Sequence, residues 1–246
     1  MKVGPGAGAS PPAAYCPGTL CNTLFETMPI RLSAVVFLAF ATIAAAADHR
    51  VEALAAKAPE GLAPAIAAQL ADQGHKVVRG TSRTVCEIWL AKQWQMPTLE
   101  AKGDVNYAFT PGQLIGAIHF PRKGSDFRDQ DIDPGLYTMR YAQQPVDGAH
   151  VGTSVTRDFL LLIRADADKS AEVMKYADLS KASIEAAQTA HPALLSLQKP
   201  AAAKAGSIRH DEEKDWWIAH LAGQGKASGK SAEVALELVV AGQAAE

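Results

Sequence analysis

From His75 to Val240 the chain runs as short apolar segments of period two, each closed by a turn signal, and this pattern most constrains its fold. Alternation places successive side chains on opposite faces, as a half-buried strand requires. His75–Arg79 and Val85–Ala91 flank Gly80-Thr81-Ser82-Arg83 as a hairpin. Val105–Phe109 and Gln113–Phe120 are parted by Thr110-Pro111-Gly112, and Leu136–Ala142 follows Pro134-Gly135. Phe159–Ile163 is apolar on both parities, the mark of a central strand. Ala193–Leu197 reads as a short strand, and Trp216–Leu221 and Ala232–Val240 as a hairpin with a loose loop over Gly223–Lys230. About eight to ten strands with turns between them predict a mainly β protein, an antiparallel β-sandwich or partly closed barrel.

Two stretches break the period. Residues 50–58 and 62–73 are rich in Ala, Leu, Glu and Lys, with Pro64 near a helix start and Gly74 at a C-cap position. They predict an N-terminal helical segment over 48–74, ahead of a β domain over 75–246. One inserted helix is expected at about 169–190, stopped by His191-Pro192. Lys199–Ser207 reads as a linker-like loop, and His210–Asp215 as a solvated charged turn.

The start of the chain points to export. Arg31 precedes an apolar run from Leu32 to Ala47, interrupted only by Ser33 and Thr42 and ending in four alanines. A basic n-region, a short apolar h-region and a small-residue end describe a signal peptide at 28–47, cut after Ala47. The run is too short and too alanine-rich for a membrane span, so no stable span is expected after cleavage. Residues 1–27, rich in Gly, Pro and Ala, are expected to be a leader read from too early a start codon, with Met28 the true start. Cys16 and Cys21 fall within it, and Pro17 and Gly18 stand where a lipoprotein signal needs apolar residues. Cys86 is then the one cysteine left, expected as a buried small hydrophobe. A formal net charge of −2 over 246 residues gives no footprint for nucleic acid.

Ile132-Asp133-Pro134-Gly135-Leu136-Tyr137-Thr138-Met139-Arg140-Tyr141 carries a Pro-Gly turn into a Tyr-x-x-x-Tyr strand. This stretch resembles the strand entry of immunoglobulin-like and transthyretin-like exported sandwiches. The whole chain is similar to uncharacterised exported bacterial proteins. That resemblance implies a fold and a compartment, with no catalytic residue to carry over.

Candidate chemistry lies mainly in loops. Asp126, Asp129, Asp131 and Asp133 fall in one acidic loop, where alternating carboxylates could converge on Ca²⁺. The spacing resembles the start of an EF-hand, then departs at Pro134 and Arg140, and Arg128 and Arg140 compete for the carboxylates. His119, His150, His191 and His220, with Asp147 near His150, are weaker candidates for zinc or copper, since none has local ligand spacing. Ser154, His150 and Asp158 could be assembled into a triad, without a nucleophile elbow to support it. Trp216 and Trp217 must face opposite ways on a strand, so that one of them, with His150 and Asp147, forms a candidate ligand surface. The expected role is an exported binding or structural module with an unidentified cell-envelope ligand or protein partner. The alternative is an envelope hydrolase using loops 121–133 and 147–158.

Overall fold

The computed structural model describes residues 48–145 and 156–244. The expected signal segment, Asp147, His150 and Ser154 lie outside them. The strands are β1 (His49–Leu54), β2 (Gly74–Arg79), β3 (Arg83–Leu90), β4 (Trp94–Gln95), β5 (Leu114–Phe120), β6 (Gly124–Ser125) and β7 (Asp131–Ile132). They continue with β8 (Gly135–Gln143), β9 (Asp158–Arg164), β10 (Leu194–Gln198), β11 (Ser207–Asp211), β12 (Trp216–Ala227) and β13 (Lys230–Ala241). The helices are α1 (Pro64–Ala67) and α2 (Tyr176–Ala187).

Eleven strands form one sheet in the order β1-β2-β3-β5-β8-β9-β10-β13-β12-β11, with β4 added in parallel to β12; β6 and β7 form a separate pair. The expected antiparallel, mainly β architecture holds, and one hydrogen-bonded ladder runs through it as a curled half-barrel. The ends of the ladder, β1 and β11, come into contact across a seam. The inner face carries the main core, including Ile88, Tyr141, Leu162 and Leu238, all nearly or fully buried. On the outer face α2 packs through Leu179 onto Ala142, Leu161 and Ile163, meeting the expected inserted helix over a shorter span. The helix ends at Gln188, in the left-handed conformation with φ 56°.

The predicted N-terminal helical segment is corrected. Residues 49–54 form β1, matched residue for residue to β2 from His49↔Arg79 to Leu54↔Gly74. Helix propensity is a weak prior, and six cross-strand pairs outweigh it. Only the single turn of α1 survives beyond it, because the backbone after it pairs elsewhere: Lys92 N–H donates to Gln69 O at 2.7 Å and Ala71 N–H to Leu90 O at 2.9 Å. Gly74 opens β2 rather than capping a helix, and a Cβ there would lie 2.7 Å from Trp89 Nε1.

Other differences have similar causes. Val105–Phe109 is not a strand, yet Tyr107 and Phe109 are buried at the end of the core. The expected charged turn is an exposed turn over 212–215, while His210 and Asp211 end β11, paired across to Trp217 and Trp216. The loose loop at Gly223 is continuous strand, with β12 and β13 meeting at Ser228 and Gly229, both at positive φ. Gly223 gives room to a neighbour: Trp94 Cη2 lies 2.3 Å from where its Cβ would stand.

Candidate functional site

Two groups of polar side chains stand out, one inside the seam and one on the outer face. Val51 and Val77 belong to the inner core, so the parity of β1 and β2 also turns His49 and His75 inward. Among the described residues, His49 Nδ1 and His75 Nδ1 are the two buried side-chain polar atoms without a hydrogen-bond partner. His49 sits 4.6 Å from the Trp217 ring, whose indole is stacked by His210 at 4.2 Å; His210 Nε2 in turn contacts Asp215 at 2.8 Å. Burial, aided by the nearby Arg79 and His210 charges, lowers the His49 pKa to about 4. Burial also lowers that of His75. Both rings are therefore neutral at pH 7, and each holds a buried Nδ1 with no hydrogen-bond partner.

Further along the seam an open cleft of about 220 Å³ separates β2 and the end of β3 from β12. Gln73, His75, Lys92, Gln224 and Glu233 supply its polar lining, with Leu90 and Ala91 beneath. At its β12 wall, β4 pairs with Gly225 and Lys226, and Trp94 Nε1–H donates to Ile115 O at 2.9 Å, fixing the wall to the core. Such a lining offers neutral and charged donors and acceptors together.

The outer-face group follows from register. Ser207 on β11 stands opposite His220 on β12, which stands opposite Glu237 on β13. Directly opposed residues share a face. Ile218 and Val239, the pair beside them, pack outward with Phe127, Phe159 and Trp216. Glu237 is fully buried; His220 Nδ1–H donates to its Oε1, and Arg209 Nε–H to its Oε2 at 3.3 Å. The Glu237 N–H donates to the buried Tyr107 hydroxyl at 2.9 Å, which itself donates to Gln198 O at 2.8 Å. Burial pushes the Tyr107 phenol well up, so this link stays protonated.

A third cluster lies at the inner end of β8 and β9. Asp158, fully buried, accepts from Tyr141 Oη–H at 2.5 Å and Asn106 N–H at 2.8 Å. Desolvation raises its pKa against those bonds. It anchors the 104–109 segment to the barrel end.

The remaining sequence candidates are dispersed. Asp126 is buried, and its carboxylate accepts from the N–H groups of Arg128, Gln130 and Leu194 and from Gln130 Nε2, at 2.8 to 3.0 Å. Asp131 pairs with Lys123 at 2.6 Å, and Asp133 accepts from Gln188 Nε2 at 2.6 Å. Asp129 is exposed at φ 60°. Arg140 turns away to Asp168. Among the described residues no three His, Cys, Asp or Glu side chains converge as a metal group. His119 pairs with Glu87 at 3.0 Å, far from His220 in sheet order. Trp216 and Trp217 do part as expected: Trp216 meets Phe127 at 5.1 Å, Trp217 the seam.

Sequence reasoning missed the seam because β1 read as helix, and missed the Ser207 row because β11 read as linker and turn. The alternation of Ser207, Arg209 and Asp211 was the available signal. Comparison with known proteins finds no matching family model, no matching curated protein and no matching solved structure.

Proposed function

We propose that this chain is an exported binding module of the cell envelope, folded as a partly closed barrel, that takes a small polar ligand in the seam cleft. The observation that carries the reading is His75, which lines the cleft and whose buried Nδ1 has no hydrogen-bond partner. Leaving such an atom unpaired costs about 1–3 kcal/mol, which a ligand reaching it recovers. Lys92, Glu233 and the two glutamines around it suit a molecule carrying hydroxyl, amine or carboxylate groups. The export half of the reading rests on Arg31 and the Leu32–Ala47 run.

The test is a panel of monosaccharides and amino acids at millimolar concentration, read by the ring resonances of His75 and by the melting midpoint. A binder should move the His75 signals and lose its effect in His75→Phe. Panel members that all leave His75 unmoved, or binding that survives the substitution, overturn the reading. The mature N-terminus, sequenced from the exporting cell, should be Asp48. Calcium in the acidic loop is a separate reading, since it requires Lys123 and Gln188 to release Asp131 and Asp133. A calcium-dependent rise in the midpoint that is lost in Asp131→Asn would support it.

A further inference from the structure

The geometry points to Ser207, His220 and Glu237 as a nucleophile, base and positioning carboxylate for ester hydrolysis on the outer face of β11, β12 and β13. This goes beyond the seam-binding reading and does not depend on it. None of the three residues belongs to the 121–133 or 147–158 loops that the sequence favours for a hydrolase.

An activated serine needs a base within reach and a third group that fixes the base. Here the third link is formed: Glu237, fully buried, accepts from His220 Nδ1–H. That bond sets the tautomer and leaves the Nε2 lone pair to take a proton. Arg209 holds the other carboxylate oxygen at 3.3 Å, so the acid is braced from both sides. Direct register places the Ser207 Cβ about 4.5–5.5 Å from that of His220, within hydroxyl reach of the ring. Ser207 is half-buried at the start of β11, the last strand of the ladder. Its hydroxyl donates to Lys204 O at 2.6 Å, and the proposal requires that it leave this bond by a χ1 rotation to reach His220. Catalytic hydrogen bonds are often loose before substrate binds. Arg209 lies two residues along β11 on the same face, with its side chain 44% exposed. In the proposed reaction its positive charge would favour the developing oxyanion.

The step balances without a further reactant than water. Ser207 Oγ bonds to the ester carbonyl carbon, the carbonyl electron pair moves onto oxygen, and the Oγ proton passes to His220 Nε2. Collapse breaks the bond to the leaving alcohol, which takes that proton. Water then attacks the acyl-serine, gives its proton to Nε2, and Ser207 leaves with it.

The experiment treats the full exported protein with a fluorophosphonate probe, maps the adduct by mass spectrometry, and follows hydrolysis of p-nitrophenyl acetate. The expected results are a single adduct on Ser207 and a loss of about 100-fold or more in hydrolysis in Ser207→Ala, at an unchanged melting midpoint. Ser207→Ala removes one hydroxyl from a half-buried position, so its folding is not in question. His220→Gln should abolish labelling of Ser207. Glu237→Gln should lower kcat with KM unchanged, a split that a merely structural carboxylate would not produce. No adduct on Ser207, or hydrolysis that Ser207→Ala leaves intact, overturns the proposal and makes the row an ionic tie between strands.

Discussion

Arg140 offers the sharpest test of how this fold is held. Its side chain and that of Asp168 are both fully buried. Every guanidinium N–H is used: Nε and Nη2 donate to the two Asp168 oxygens at 2.7 and 2.9 Å, Nη1 to Gly112 O and Glu172 O at 2.8 and 2.7 Å, and Nη2 also to Ser170 O. One arginine on β8 thereby ties down the 165–175 segment that leads into α2. Arg140→Met keeps the stem and deletes all five donors. Among the described residues, Asp168 is then a buried carboxylate with only Thr138 Oγ1–H, at 2.6 Å, to solvate it. Breaking such a pair from one side costs about 3–5 kcal/mol. Gly112 O still accepts from Met174 N–H at 3.1 Å, so the loss concentrates on Asp168.

Asp168→Asn should cost less, about 2–3 kcal/mol, because three carbonyls still surround the cation and the amide oxygen still accepts from Nε. Replacing both partners, as Arg140→Met with Asp168→Leu, removes the stranded charge and should recover to within about 2 kcal/mol of the parent. At about 2–4 °C per kcal/mol for a domain of this size, Arg140→Met lowers the midpoint by roughly 6–20 °C. Urea unfolding gives the free energies, and hydrogen exchange should show faster opening at 169–175 in the single variants. Single-variant losses below about 1 kcal/mol, or a double variant as poor as the sum of the singles, would refute the reasoning.

Three further outcomes follow from the same packing. His49 has a folded pKa near 4 against 6.5 unfolded, so the unfolded chain binds the extra proton between those values. Its contribution is intact above pH 6.5 and is lost as pH falls toward 4; after solvent screening this is about 2 kcal/mol, and urea melts of His49→Leu at pH 7 and 4.5 should lack that acid loss. Cys86 is 1% exposed and burial drives its thiol pKa far up, so in the native protein Cys86 should resist a thiol reagent that labels it fully in denaturant, as read by mass spectrometry of its peptide. Gly223→Ala presses a methyl into Trp94, and should cost about 1–3 kcal/mol with a visible change in tryptophan fluorescence.

The strand pattern was legible wherever an amphipathic alternation met a turn signal, as at β2, β3, β5, β8 and β9. It failed where the partner, not the local sequence, sets the conformation. Residues 49–54 carry helix-favouring alanine and leucine, yet β2 offers six ladder pairs. Gly223 and Gly225 read as a flexible loop, yet they are strand residues kept bare for Trp94 and Met96. The acidic loop shows the same limit at the level of chemistry. Four aspartates share eight residues of chain, but Asp126 is turned inward by backbone donors, one of them from Leu194 on a distant strand.

What the sequence by itself determined is therefore local: period-two segments, their turns, one inserted helix and the apolar run at 32–47. Side-chain parity and turn chemistry are properties of neighbouring residues, and they survive folding unchanged. What only the tertiary structure decided is which strands meet. Sheet order brought β1 to β11 across the seam, leaving His49 Nδ1 and His75 Nδ1 without hydrogen-bond partners, and register set Ser207, His220 and Glu237 in one row. Those juxtapositions join residues up to 168 positions apart, from His49 to Trp217. No local pattern encodes such pairings, because their energy comes from closing the long-range core and appears only once the sheet has curled.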